Sequence, residues 1–172
     1  SVYKTDATGA APYTFTPIVT GGGEQPNPDL RSDAGLSMFV YKGLLYVGTN
    51  RNTELIRIDP SDVWTLLVGE PRETSQGPKY PISGLGQGFG NAFNRHFWDM
   101  GAGNKGLHLG TYDLSPSLSV VPFLNKAFNR EFGFDLGRTT DGVYWSMMTR
   151  SGLGDGFNIG VRKKEKTPFG FF

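Results

Sequence analysis

Apolar and polar residues alternate in short runs along most of the chain, and no window of helical length sustains an i, i+3, i+4 apolar pattern. Leu36 to Tyr41, Leu44 to Thr49, Glu54 to Asp59 and Trp64 to Val68 are runs of strand-forming residues. Lys42-Gly43, Asn50 to Thr53 and Pro60 to Val63 separate them. Short strands joined by short polar turns predict an antiparallel meander. The same order returns at Phe97 to Met100, Leu107 to Tyr112, Phe134 to Thr139 and Trp145 to Thr149. Residues 115–131, from Ser115 to Glu131, break the order and read as an insertion, with room for one short helix over Ser117 to Phe128.

The recurrence is visible in the residues themselves. Gly43-Leu44-Leu45-Tyr46-Val47-Gly48-Thr49-Asn50 returns as Gly106-Leu107-His108-Leu109-Gly110-Thr111-Tyr112-Asp113, an offset of 63 with one residue deleted. Gly170-Phe171-Phe172 opens a third copy 64 residues further on. Gly88-Phe89-Gly90-Asn91-Ala92-Phe93-Asn94 matches Gly152-Leu153-Gly154-Asp155-Gly156-Phe157-Asn158, also at 64. Phe15, Trp64 and Trp145 each precede a strand-like run. Two landmarks on one period indicate a repeat architecture. A repeated unit of four short antiparallel strands is the blade of a β-propeller.

The expected fold is therefore all-β, with propeller-type four-stranded antiparallel units, about 2.7 repeats of 63–64 residues. Residues 1–34 form an N-terminal segment that holds the last strand of a preceding blade. Residues 35–95 form the first unit and its loop, 96–158 the second, and 159–172 the start of a third. On this reading the fold is incomplete on its own. A self-contained two-sheet fold made by duplication is the other architecture that the pattern allows.

Composition narrows the function. Charges nearly cancel, with 17 Lys and Arg against 16 Asp and Glu, which does not suit a general nucleic-acid binder. The 13 Phe, 7 Tyr and 3 Trp are too many for a disordered segment. No cysteine is present, so there is no disulfide framework, thiolate metal site or Cys nucleophile. No apolar run approaches the length of a membrane-spanning helix.

Phe134-Asp135-Leu136-Gly137-Arg138-Thr139-Thr140-Asp141-Gly142-Val143-Tyr144-Trp145, then Gly152-Leu153-Gly154-Asp155 with Asn158, and Gly43 to Asn50 resemble a repeat of large secreted bacterial proteins, mostly of unknown function. Those proteins are taken to be β-propellers. Their repeat runs W-R-S-x-D-G-x-x-W, then G-F-G-D/N-x-x-N, then L-Y-V-G-T-x-N. The resemblance covers about 140 residues from Gly35 onward and implies an extracytoplasmic (periplasmic or secreted) propeller. Ile56 and Leu136 stand where that repeat usually has Trp. Thr139 to Trp145 is also similar to the Asp-box of sialidase-type propellers, one residue short, where the Asp and Gly shape a turn.

Candidate chemistry is sparse. His96 and His108 flank Gly101 to Lys105; a hairpin centred there sets Asp99 opposite His108, a pairing that can orient a general base. Asp135 with Asp141, and Asp59 with Asp62, are carboxylate pairs of the kind glycosidases use, although repeated Asp is more often turn chemistry. Gly84 to Asn91 lacks the Lys-Ser/Thr of a phosphate loop and reads as a loop needing positive φ. Asn91 and Asp155-Gly156 offer oxygens to Ca²⁺ but without EF-hand spacing. Arg162 to Lys166 reads as a solvated, basic edge. Phe89, Phe93, Phe97 and Trp98 are either blade packing or, if exposed, a protein or sugar anchor.

These features predict a non-enzymatic interaction or scaffold subunit with no catalytic set, cofactor or metal. Its expected partner is a protein, or a further copy that completes the β fold. The expected partner-binding residues are Phe169, Phe171, Phe172, Trp98 and Phe93. A fragment of a carbohydrate-active propeller, either glycan-binding or hydrolytic, is the alternative.

Overall fold

A computed structural model describes residues 1–123, 132–168 and 170–171. The described chain is mostly β, and its sheets are antiparallel. β1 (Val2–Lys4) pairs with β2 (Thr16–Val19) in a two-stranded ribbon. β3 (Gly35–Tyr41), β4 (Leu44–Thr49), β5 (Leu55–Ile58) and β6 (Trp64–Val68) follow as a four-stranded meander. β7 (Asn94–Gly103), β8 (Gly106–Asp113), β9 (Leu136–Thr139) and β10 (Ser146–Thr149) form a second meander in the same order. A two-stranded hairpin of β11 (Lys166–Thr167) and β12 (Gly170–Phe171) comes last. All eight strands expected from the alternation are present. β7 is longer at both ends than the expected Phe97 to Met100. No helix among the described residues is long and apolar enough to cross a membrane.

The first hairpin turns on Lys42 and Gly43, both at positive φ, the geometry that matches strand twist. The next turns on Asn104-Lys105. Cross-strand pairs repeat in register: Val40 faces Leu45, Ala102 faces Leu107 and Lys166 faces Phe171, at offsets of 62 and 64. The hairpin β11–β12 is thus the backbone counterpart of β7–β8. Because the second turn has two residues rather than five, Gly101 lies opposite His108 and Gly110 opposite Asp99. The expected Asp99–His108 pairing is therefore corrected by two positions.

The two meanders stack face to face. Tyr46, Leu55, Leu67 and Val68 of the first share one core with Phe97, Met100, Leu107 and Leu109 of the second and with Phe89 of the connecting loop. The opposite face of the first meander, with Val47, Ile56, Ile58, Trp64 and Leu66, packs on Val2 and Val19 of the ribbon. Close approach between the stacked sheets is set by Gly48: a Cβ there would lie 2.7 Å from Phe97 Cβ. Its counterpart Gly110 is approached in the same way by Val161. Residues 159–161 run along β8, with Asp113 N donating to Ile159 O and Val161 N to Thr111 O. The insertion begins with a 3₁₀ turn over Ser115–Val120; residues 124–131 lie outside the described residues.

Gly48→Ala is expected to force the two sheets apart and destabilise the chain by about 1–3 kcal/mol. Urea unfolding of the variant beside wild type measures this, and an unchanged midpoint would contradict the close packing.

Candidate functional site

The G-x-G-N/D landmark folds into a turn of three consecutive left-handed residues. Gly88, Phe89 and Gly90 have φ of 58, 62 and 78°, and Gly152, Leu153 and Gly154 have 58, 62 and 92°. Asn94 Nδ2 donates to Gly88 O at 2.8 Å, and Asn158 Nδ2 to Gly152 O at 3.0 Å. Phe93 N donates to Asn91 Oδ1 at 3.0 Å, and Phe157 N to Asp155 Oδ1 at 2.9 Å. Gly22, Gly23 and Glu24 form the same turn 66 residues before Gly88, with φ of 65, 78 and 56°. That earlier copy has no G-x-G-N/D signature and is not legible from the sequence. Asn91 and Asp155 are accounted for as turn residues. Among the described residues, no three His, Asp or Glu side chains cluster so as to hold a metal ion.

Each meander is tied to the turn before it by a buried carboxylate and an arginine. Glu54, which enters β5, receives Arg72 Nη1 at 2.7 Å and Nη2 at 2.9 Å, both side chains fully buried. Arg72 Nε also donates to Gly23 O at 2.6 Å. In the second unit, Asp135 Oδ2 receives Arg150 Nη1 at 3.2 Å, and Arg150 Nη2 donates to Phe89 O at 3.1 Å. A threonine completes both copies. Glu54 N donates to Thr49 Oγ1 at 2.9 Å, and Asp135 N to Thr111 Oγ1 at 2.8 Å.

The second copy holds two fully buried carboxylates, Asp135 and Asp113. Asp135 Oδ2 also accepts from Asn94 at 2.8 Å and Asn91 at 3.4 Å, and Asn91 reaches Asp113 Oδ2 at 3.2 Å. Asp113 Oδ1 accepts from the Ser115 amide and hydroxyl. Asp135 Oδ1 is buried and meets no donor. Burial therefore pushes the Asp135 carboxyl up to about 6; Asn94, Arg150 and Asn91 counter this, and Asp113 adds to it. Burial also raises Glu54, against the opposing pull of Arg72.

The other acidic candidates shape turns. Asp141 Oδ1 accepts from Val143 N, Tyr144 N and Thr139 Oγ1, and these bonds hold its pKa below the ordinary value. Asp59 Oδ1 accepts from Ser61 N and Val63 N. Asp62 forms an exposed ion pair with Lys4. His96 stacks on Tyr112 with centroids 5.1 Å apart, and desolvation lowers both histidines. The run Arg162 to Lys166 is not a wholly solvated edge. Lys164 is buried against Asp99 at 3.1 Å, and Arg162 lies 5.7 Å over the Trp98 ring.

Among the expected partner-binding residues, Trp98 is half-buried, edge-on to Tyr112 and packed on Gly160. Phe93 is half-buried in the left-handed turn. Phe171 pairs through its backbone with Lys166, while Phe169 and Phe172 lie outside the described residues. Phe89 and Phe97 are buried in the shared core.

Exposure exposes a different set. Leu67 is 0% exposed and its counterpart Met148, 81 residues on, 51%; Phe89 is 1% exposed and its counterpart Leu153 67%. At the other end of the stack, Met100 is 6% exposed and its counterpart Met38 54%. Leu36 and Val40, beside Met38 on the same strand, are also exposed. The outermost faces thus repeat apolar positions that are covered where the two meanders meet. The repeat offsets carry this signal in the sequence, but only once the buried copy is known. Comparison with protein-family models, curated proteins and solved structures found no match.

Asp135 gives the stability a pH dependence of definite sign. Between about pH 4 and pH 6 the folded chain keeps a proton that the unfolded chain has lost, so stability falls through this window as pH rises and levels off above it. The contribution is on the order of 3 kcal/mol. Urea midpoints at about pH 4 and about pH 7 should differ less for Asp135→Asn than for wild type; an identical difference would contradict the assignment.

Proposed function

We propose that the chain is a non-enzymatic protein-interaction module, built of β-propeller-type units and working outside the cytoplasm. The observation that carries this reading is the pair of open sheet faces. Met38, Met148 and Leu153 are exposed at positions whose counterparts Met100, Leu67 and Phe89 are buried between sheets. Apolar surface of that kind, arrayed on a rigid sheet, suits a partner protein. The propeller assignment is supported by two four-stranded meanders of the same strand order that share one core. The extracytoplasmic setting rests on the resemblance of the repeat to secreted bacterial propeller proteins.

The polar groups fit the same reading. Glu54, Asp135, Asp141 and Asp59 are each engaged by turn amides, hydroxyls or arginines, which suits structural work rather than proton transfer. Trp98 has Tyr112 and Gly160 against its ring, which leaves little of it for stacking on a sugar.

Two measurements test this. Cross-linking in the secreted fraction of producing cells should give protein adducts with wild type that Met148→Asp loses, with both chains equally folded by circular dichroism. Glycan arrays and polysaccharide turnover assays should stay blank. Sugar turnover, or a glycan signal abolished by Trp98→Ala, would overturn the reading in favour of a carbohydrate-active protein.

A further inference from the structure

The outer edge of the first meander is occupied by the chain itself. After β6, residues 69–87 double back before the left-handed turn at Gly88. Ile82 N donates to Leu66 O at 3.1 Å, Ser83 N to Leu67 O at 3.2 Å, and Gly69 N to Leu85 O at 3.1 Å. The Ser83 hydroxyl also donates to Leu67 O, and Leu85 bridges Val68 in the parallel sense. Gly84, at a φ of 75°, closes a tight turn by donating to Pro81 O at 2.8 Å. Leu85 then packs against the core shared by the two meanders. Pro81-Ile82-Ser83-Gly84-Leu85 thus satisfies the edge with backbone groups, one hydroxyl and one aliphatic side chain.

The second meander has the same edge without the segment. β10 stands in the register of β6: Thr65 pairs with Arg57 and Ser146 with Arg138, and each strand has one bulged residue, Leu67 or Met148. Met147 O, Met148 O and Arg150 N hold the places of Leu66 O, Leu67 O and Gly69 N, which lie 81 residues earlier. Beyond the ladder with β9, none of the three has a backbone partner among the described residues. The cause lies inside the unit. Only Arg150 and Ser151 separate β10 from the left-handed turn at Gly152, too short a link to double back. The edge also lacks the usual safeguards. Ser146–Thr149 contains no Lys and no Pro, and the bulge does not prevent pairing in the covered copy. Met148 and Leu153 stand at the positions of Leu67 and Phe89, members of the core that Leu85 packs against.

We propose that the open edge of β10 is a docking site for a partner protein's segment of the form Pro-aliphatic-Ser-Gly-aliphatic, seated on β10 as residues 81–85 are seated on β6. The inference rests on the interaction-module reading and names its surface and the chemistry of its partner. Two successive amides of the segment donate to Met147 O and Met148 O, and Arg150 N donates to the carbonyl of its last residue. The serine hydroxyl reaches Met148 O. Main-chain bonds hold the segment, and the side chains select it. Glycine admits the positive φ of the turn, and the final aliphatic side chain meets Met148 and Leu153.

The test uses a blocked synthetic peptide, Lys-Tyr-Pro-Ile-Ser-Gly-Leu-Gly, the sequence of residues 79–86, titrated into the isotope-labelled full chain. Amide spectra should show saturable shifts at residues 147–150, with residues 65–69 unmoved. The same peptide N-methylated at its isoleucine and serine lacks both donors and should bind at least about tenfold more weakly.

No saturable shift at millimolar peptide overturns the edge site. So does equal binding by the N-methylated peptide. Shifts at residues 65–69 alone overturn it too, since the peptide then only replaces the chain's own segment. Protein adducts lost in Met148→Asp, seen beside a chain that binds no peptide, would leave the interaction-module reading standing. Sugar turnover would remove that reading as well.

Discussion

The structure depends on the buried pairing of Glu54 with Arg72. The guanidinium spans four places at once: the Glu54 carboxylate, the carbonyls of Gly23 and Glu70, and the indole of Trp64. It thereby joins the start of β5, the chain beyond β6 and the left-handed turn before β3. Such a buried pair adds little net stability, because desolvation offsets most of its attraction. Its value here is geometric, since its hydrogen bonds hold the three segments in one arrangement. Arg150 and Asp135 repeat the device with a less buried arginine and a second carboxylate nearby. Burial, with a smaller contribution from Asp113, raises the Asp135 carboxyl to about 6.

With turns and meanders locked together, stacking follows from the glycines on the second strand of each unit. Gly48 admits β7 and Gly110 admits Val161, so each layer approaches the next to within a Cβ. The apolar residues around these contacts recur at the repeat offset, which gives every layer two faces built for burial. Where the next layer is a full meander, Leu67 and Phe89 are covered; where it is a partial one, Met148 and Leu153 are not. The open faces are thus a direct consequence of the repeat, and the interaction role proposed for them uses no feature beyond it.

Much of this was legible in the residues. The eight meander strands follow from period-two alternation and short turns, and Lys42-Gly43 marks its hairpin unambiguously. The roles of Asp141 and Asp59 as turn residues were also readable, because their recurrence argued against catalysis. The register around Asp99 and His108 is not legible, because the glycines around Asn104-Lys105 make a tight turn look like a longer one. Val2–Lys4 is too short a strand to announce itself. The Glu54–Arg72 pair could not be seen, since neither residue type signals burial and their meeting depends on the closed fold. The exposure of Met38 and Met148 was equally hidden: alternation says that a residue faces away from its neighbour, not whether another sheet lies there.

The account's central claim is that the outer faces are working surfaces that seek a covering layer. Size-exclusion chromatography with light scattering on the purified chain measures this most directly. The account predicts a mass above the 18.8 kDa of one chain, rising with protein concentration. A stable 18.8 kDa monomer at every concentration, with no apolar-dye binding, would contradict it.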